Sequence, residues 1–98
     1  MNFILECERK SGKAYKEIWH QKFGYFWCQI CKKSDGGIYD CEHIMSKGRF
    51  PKHKELENCL NKILVCRECH ENKNTEAKSE FEKIKRERGL YNLFKHAI

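Results

Sequence analysis

Two cysteine pairs, Cys28-x-x-Cys31 and Cys66-x-x-Cys69, carry the plainest chemistry in this chain. A two-residue gap lets a tight turn aim both sulfurs at one ion, and two such turns complete a tetrahedral thiolate site of the kind that holds zinc. Four thiolates fill the coordination shell, so the expected zinc is structural and leaves no open position for a reacting molecule. A redox role for either pair calls for a surrounding βαβ pattern, which the sequence lacks. Cys7, Cys41 and Cys59 lie outside both pairs and read as free thiols, with Cys41, beside Glu42 and His43, a candidate stray ligand. The 34 residues between Cys31 and Cys66 exceed the span of a compact zinc ribbon, so something else must sit between the knuckles.

The second set of chemical residues lies between the knuckles and just after them. It comprises Asp40-Cys41-Glu42-His43-Ile44 and the run from Asn61 through Cys66-Arg67-Glu68-Cys69-His70 to Lys73 and Asn74. This segment resembles the HNH endonucleases. Their pattern is an acidic residue or His directly before a His-Ile, a central Asn five residues before a Cys-x-x-Cys-His, and a Lys three residues after that His. The resemblance covers roughly residues 28–75, and the combination is more specific than any one element. It implies a small zinc-stabilised α+β fold built on two antiparallel strands and a helix clasping one metal (the ββα-metal motif); chain length makes residues 1–98 one unit, and apolar spacing adds flanking N- and C-terminal helices. Carried over residue by residue, His43 is the general base and Asn61 the central Asn that braces it. His70 becomes a metal ligand at the start of the helix, Glu42 a second ligand and Asn74 a candidate third. Stand-alone proteins of this kind often belong to phages, mobile elements or restriction systems.

The residue types suit that chemistry independently. Phosphodiester hydrolysis needs an activated water, charge stabilisation on the phosphate and help for the departing 3′ oxygen. A histidine with an ordinary pKa of about 6.5 is largely free to take a proton at neutral pH. A divalent cation neutralises charge on the phosphoryl and leaving oxygens. His70 and Asn74 are four apart, hence on one face of a helix. Glu42 and Asn74, standing where family members often carry Asp or His, favour an oxygen-preferring ion such as Mg²⁺ or Mn²⁺. Each residue also has an ordinary reading: His43 a polar strand residue, Asn61 a turn residue, His70 a zinc ligand within reach of its knuckle, Asn74 a helix cap.

The loop from Ser46 to Lys54 holds Lys47, Arg49, Lys52 and Lys54 and no acid. Following His43 directly, it is expected to contact phosphates, which position a substrate without reading its sequence. The expected function is metal-dependent endonuclease cleavage, with double-stranded DNA the favoured substrate and a monomer or homodimer the working unit. The alternative is a non-catalytic zinc-binding nucleic-acid module on the same scaffold. A protein-interaction adaptor would leave the basic loop unexplained.

Little structure is available to hold these residues in place. A chain of 98 residues with 40% hydrophobic and 35% charged content has a thin core, since a domain this size buries only about 60–65% of its unfolded surface. A structural metal is the expected staple. Net charge +6 and a pI near 9.0 favour an anionic partner. No apolar run approaches the roughly 20 residues that span a bilayer. Glu6 and Glu8 interrupt the start before a secretory core forms. The expected location is therefore the cytoplasm, where thiols stay reduced. Ala14, Tyr15, Ile18, Trp19 and Phe23 recur at helical spacing, so Lys13–Phe23 reads as an amphipathic helix with an aromatic core face, ending near Gly24. Residues 2–6 suggest a short edge strand, 38–44 and 62–65 two further strands, and 45–58 a loop. The chain turns helical from about Cys69, with Ala77, Phe81 and Ile84 on one face and charged residues, Arg88 among them, in solvent. Gly89 is a stop, followed by a short closing helix.

Overall fold

A computed structural model of the chain describes residues 4–5, 12–72 and 75–95. The order of elements is α1 (Gly12–Phe23), β1 (Tyr39–His43), a single 3₁₀ turn (Cys59–Asn61), β2 (Lys62–Cys66), α2 (Arg67–Asn72), α3 (Thr75–Glu87) and α4 (Leu90–Leu93). This is a small α+β arrangement on one two-stranded antiparallel sheet. No helix among the described residues is long and apolar enough to cross a membrane.

The register pairs Tyr39 with Cys66, Cys41 with Leu64 and His43 with Lys62. Because strand side chains alternate, Tyr39, Cys41 and His43 share one face of β1, while Asp40 and Glu42 share the other. A lone hairpin is marginal in water, and here β2 gains a second neighbour. Gln29, inside the first cysteine knuckle, donates its N–H to Leu64 O (2.9 Å) and accepts the Leu64 N–H on Oε1 (2.8 Å). The knuckle thereby covers the free edge of β2, and all five β2 residues are buried.

Helix α1 lays Tyr15 and Trp19, one turn apart, fully into the core. Trp19 packs on Trp27 (centroids 4.4 Å apart) and donates its indole N–H to Tyr25 O (3.1 Å). The aromatic stripe is thus core. Gly24, at φ +78°, closes the helix by donating to His20 O (2.7 Å). At the other end, a Cβ on Gly12 would stand 3.4 Å from Cys41 Cβ, so the helix start presses directly on β1.

Helix α3 buries Ala77, Phe81 and Ile84 on one stripe, and Arg88, the residue just past its end, is buried in line with them. Arg88 corrects the expectation of a solvated charge. Its guanidinium Nη1 donates to Leu60 O (2.9 Å) and Lys62 O (2.8 Å), satisfying carbonyls where β2 begins. Burial holds its pKa below the usual arginine range. Gly89 then takes a left-handed conformation (φ 66°) and hands the chain to α4, which buries Leu90 and is followed by buried Phe94.

Three further expectations change. Ile4 and Leu5 lie in no strand, and Leu5 is a buried core residue; the other residues of 2–6 fall outside the described ones. Helix begins at Arg67, two residues before Cys69, because the second knuckle is itself the first turn of α2. Cys59 is disulfide-bonded rather than a free thiol. Its bond depends on which cysteine meets it in space, which spacing along the chain does not reveal. Cys7 lies outside the described residues.

Candidate metal centre and histidine sites

Cys28, Cys31, Cys66 and Cys69 bring their sulfurs within 4.8 Å of one another, and Cys31 and Cys66 stand 3.8 Å apart. A zinc–sulfur bond of about 2.3 Å sets the edge of a tetrahedral four-sulfur shell at about 3.8 Å. The donor set therefore fits one tetrahedral ion. Both knuckles are prepared by backbone. Ile30 and Cys31 donate their N–H groups to Cys28 Sγ, each at 3.4 Å, and Cys69 donates to Cys66 Sγ at 3.4 Å. The first turn closes with Lys32 N–H on Cys28 O (2.9 Å) and Lys32 itself left-handed at φ 67°. Burial pushes the Cys28 thiol up, but the N–H groups of Cys31 and Ile30 help bring it below the ordinary value. Burial raises Cys31, and burial together with the Cys66 sulfur raises Cys69 well above the thiol range. Four sulfurs packed this closely shed all their protons only around a cation. Among the described residues, no other group of three His, Cys, Asp or Glu donors converges in this way. Cys41 is no member of it; burial pushes its thiol up to about 11.

His70 sits on α2 immediately after Cys69, and it points away from the cysteine cluster. Its Nδ1 lies 3.1 Å from Asp40 Oδ2. Asp40 also receives a two-pronged contact from Arg67, Nε on Oδ2 at 2.7 Å and Nη2 on Oδ1 at 3.0 Å. The Arg67 guanidinium, with His70 beside it, holds the Asp40 carboxyl below the usual carboxylate range. With Nδ1 engaged, Nε2 is the nitrogen that the half-exposed ring offers. A carboxylate on the far nitrogen is the usual orienting partner of a metal-ligating histidine. Glu42 lies on the same face of β1 as Asp40. Asn74 lies outside the described residues.

His43 ends β1 on the opposite face. Its Nε2 is 2.9 Å from Glu57 Oε2, and Glu57 Oε1 is 3.5 Å from Lys62 Nζ. Burial raises the Glu57 carboxyl, but the contact with His43 and the charge of Lys62 bring it below the usual range. The two histidines are thus served by different carboxylates.

Asn61 is wholly buried and acts on the backbone beside His43. Its Oδ1 accepts Met45 N–H (2.6 Å), and its Nδ2 donates to Met45 O (3.1 Å) and Leu56 O (3.0 Å). Its own carbonyl accepts the Ile44 N–H at 2.9 Å. The two ends of the 44–60 loop are thereby tied together one residue beyond His43. Lys47, Arg49, Lys52 and Lys54 are all exposed on that loop. Phe50 anchors it against Phe94 (centroids 5.2 Å apart), and Arg49 lies over the Phe50 ring at 5.7 Å.

No family model, curated protein or solved structure matches the chain. The site therefore rests on its own geometry. Sequence reasoning missed Glu57 and Lys62 altogether. The one available signal was the strand pattern itself, since a Lys opening an otherwise apolar run, Lys62-Ile63-Leu64-Val65, invites a buried counterion.

Proposed function

We propose that the chain is a metal-dependent endonuclease of the HNH type that hydrolyses phosphodiester bonds of DNA, with zinc in the four-cysteine site as its structural staple. The observation that carries this reading is the Asp40–His70 bond. It orients a helix histidine in the manner of a metal ligand, through an aspartate on the strand face that also bears Glu42. Glu42 and His70 would hold a Mg²⁺- or Mn²⁺-like ion, with Asn74 a candidate third ligand. When bound, such an ion supplies neutralising charge at the phosphate and at the 3′ oxygen. His43 removes a proton from water, whose oxygen forms the new bond to phosphorus as the P–O3′ bond breaks; the departing 3′ oxygen takes a proton from solvent, leaving a 5′-phosphate and a 3′-hydroxyl. Asn61 keeps the chain beyond His43 in place, and the exposed cations of the 47–54 loop hold flanking phosphates.

The test is nicking of supercoiled plasmid by the zinc-loaded protein and its His43→Ala variant, with Mg²⁺, with Mn²⁺ and with neither. Metal-dependent nicking by wild type alone supports the proposal. The second reading, a zinc-stabilised binding module, is favoured by the separation of His43 and His70 onto different carboxylates. It predicts DNA binding by both proteins, weakened steeply by salt, with no cleavage.

A further inference from the structure

We infer that Glu57 is the positioning residue of His43, holding the imidazole by Nε2 so that Nδ1 faces outward as proton acceptor, and that buried Lys62 locks Glu57 into that pose. The inference rests on the nuclease reading above and adds two residues to it.

Three observations carry it. His43 and Lys62 are direct partners across the sheet, so their side chains rise from the same face at neighbouring positions. Glu57 reaches over both from the connecting loop, one oxygen on each: Oε2 at 2.9 Å from His43 Nε2 and Oε1 at 3.5 Å from Lys62 Nζ. Lys62 is only 1% exposed, and its ammonium forms no well-directed hydrogen bond among the described residues. Burying an ammonium is costly, and an apolar residue would fill a strand interior without that cost. The Glu57 carboxylate that Lys62 faces offsets the buried charge.

The chemistry of the contact sets the tautomer. A carboxylate only accepts, so neutral His43 carries its hydrogen on Nε2 and keeps its lone pair on Nδ1. Without Glu57 either nitrogen can bear the hydrogen and the ring turns freely. With the second oxygen held by Lys62, the carboxylate is kept from swinging toward solvent or toward a bound cation.

The experiment pairs plasmid-nicking kinetics with nitrogen NMR of the histidine rings in zinc-loaded protein. In wild type, His43 is expected as the Nε2–H tautomer. Glu57→Ala is expected to lose that preference and to lower kcat about 10–100-fold with KM unchanged, the usual scale for an orienting partner. Glu57→Gln keeps an accepting oxygen and should retain the tautomer and most of kcat. Lys62→Met should fold, since the methionine fills the apolar strand position and the Glu57 left behind is 42% exposed and stays hydrated, and should lower kcat while mixing the tautomers. If His43→Ala is inactive yet Glu57→Ala turns over at the wild-type rate with the tautomer intact, the inference is overturned and the nuclease reading stands. An inert wild type overturns both. Should Glu57→Ala misfold, Lys62→Met at full kcat overturns the inference on its own.

Discussion

Asn61 clasps Met45 from both sides, taking its N–H on Oδ1 at 2.6 Å and giving Nδ2 to its carbonyl at 3.1 Å. The same nitrogen reaches Leu56 O at 3.0 Å, so one side chain imitates a rung of sheet between two parts of a loop. Removing it orphans one donor and two acceptors in a site closed to water. Asn61→Ala is therefore expected to destabilise the fold by about 3 kcal/mol or more, since each buried unpaired group costs about 1–3 kcal/mol. Asn61→Asp should be comparably harmful, because it turns a donor into an acceptor facing two carbonyls. Urea unfolding of both variants measures this; a midpoint equal to wild type would remove Asn61 from its bracing role.

The four-sulfur cluster should bind one zinc per chain, lost in Cys28→Ser or Cys66→Ser and kept in Cys41→Ser. Structural zinc is worth about 10–16 kcal/mol in small fingers, against about 5–15 kcal/mol for the whole stability of a typical domain. Chelation is thus expected to abolish the near-ultraviolet dichroism of Trp19 and Trp27, and added zinc to restore it. Cys31 and Cys69 hold their protons above the ordinary thiol value without a cation. Zinc uptake must therefore release protons, and affinity must fall as pH falls. Zinc titration in two buffers of different ionisation heat counts those protons.

Asp40 gives the acid limb of stability a named contributor. Its folded pKa lies below the ordinary 3.8, chiefly through the hydrogen bonds from Arg67 and also through His70. A depressed carboxyl binds fewer protons folded than unfolded, so its contribution is present above about pH 4 and is lost as pH falls through the folded value. Asp40→Asn should lower stability at pH 6 and narrow the gap to wild type by pH 3. Both proteins lose zinc alike in acid, so the difference between them is the quantity to follow in urea midpoints. A gap that stays constant with pH would remove the Asp40 carboxylate from the acid limb.

Part of this site was legible in the residues alone. The sulfur cluster followed from two tight spacings, because a Cys-x-x-Cys turn builds its geometry within four residues and needs little from the rest of the chain. Helix α1 and its aromatic core face followed from the recurrence of Tyr15, Ile18, Trp19 and Phe23. Asn61 was singled out, and the bonds it makes to Met45 and Leu56 became visible only with the loop folded back. Arg88 looked like one more charge on a solvated helix until its stripe was seen to carry it against the carbonyls of Leu60 and Lys62. Cys59 looked like a spare thiol for a similar reason: its partnership is made across space.

Local facts can be read along the chain: which residues turn, which run as helix or strand, and which four sulfurs can meet on one ion. Short-range sterics and hydrophobic periodicity act over a few residues, so they can be read one segment at a time. That His43 stands opposite Lys62 with Glu57 over both, and that Asp40 holds His70, follows from the folded chain alone. Those partnerships depend on the register of two strands, and a slip of one residue would send every β1 side chain to the other face. Register here is held by the Gln29–Leu64 bonds, the Asn61 clasp and the cysteine cluster, each of which joins residues distant in the chain.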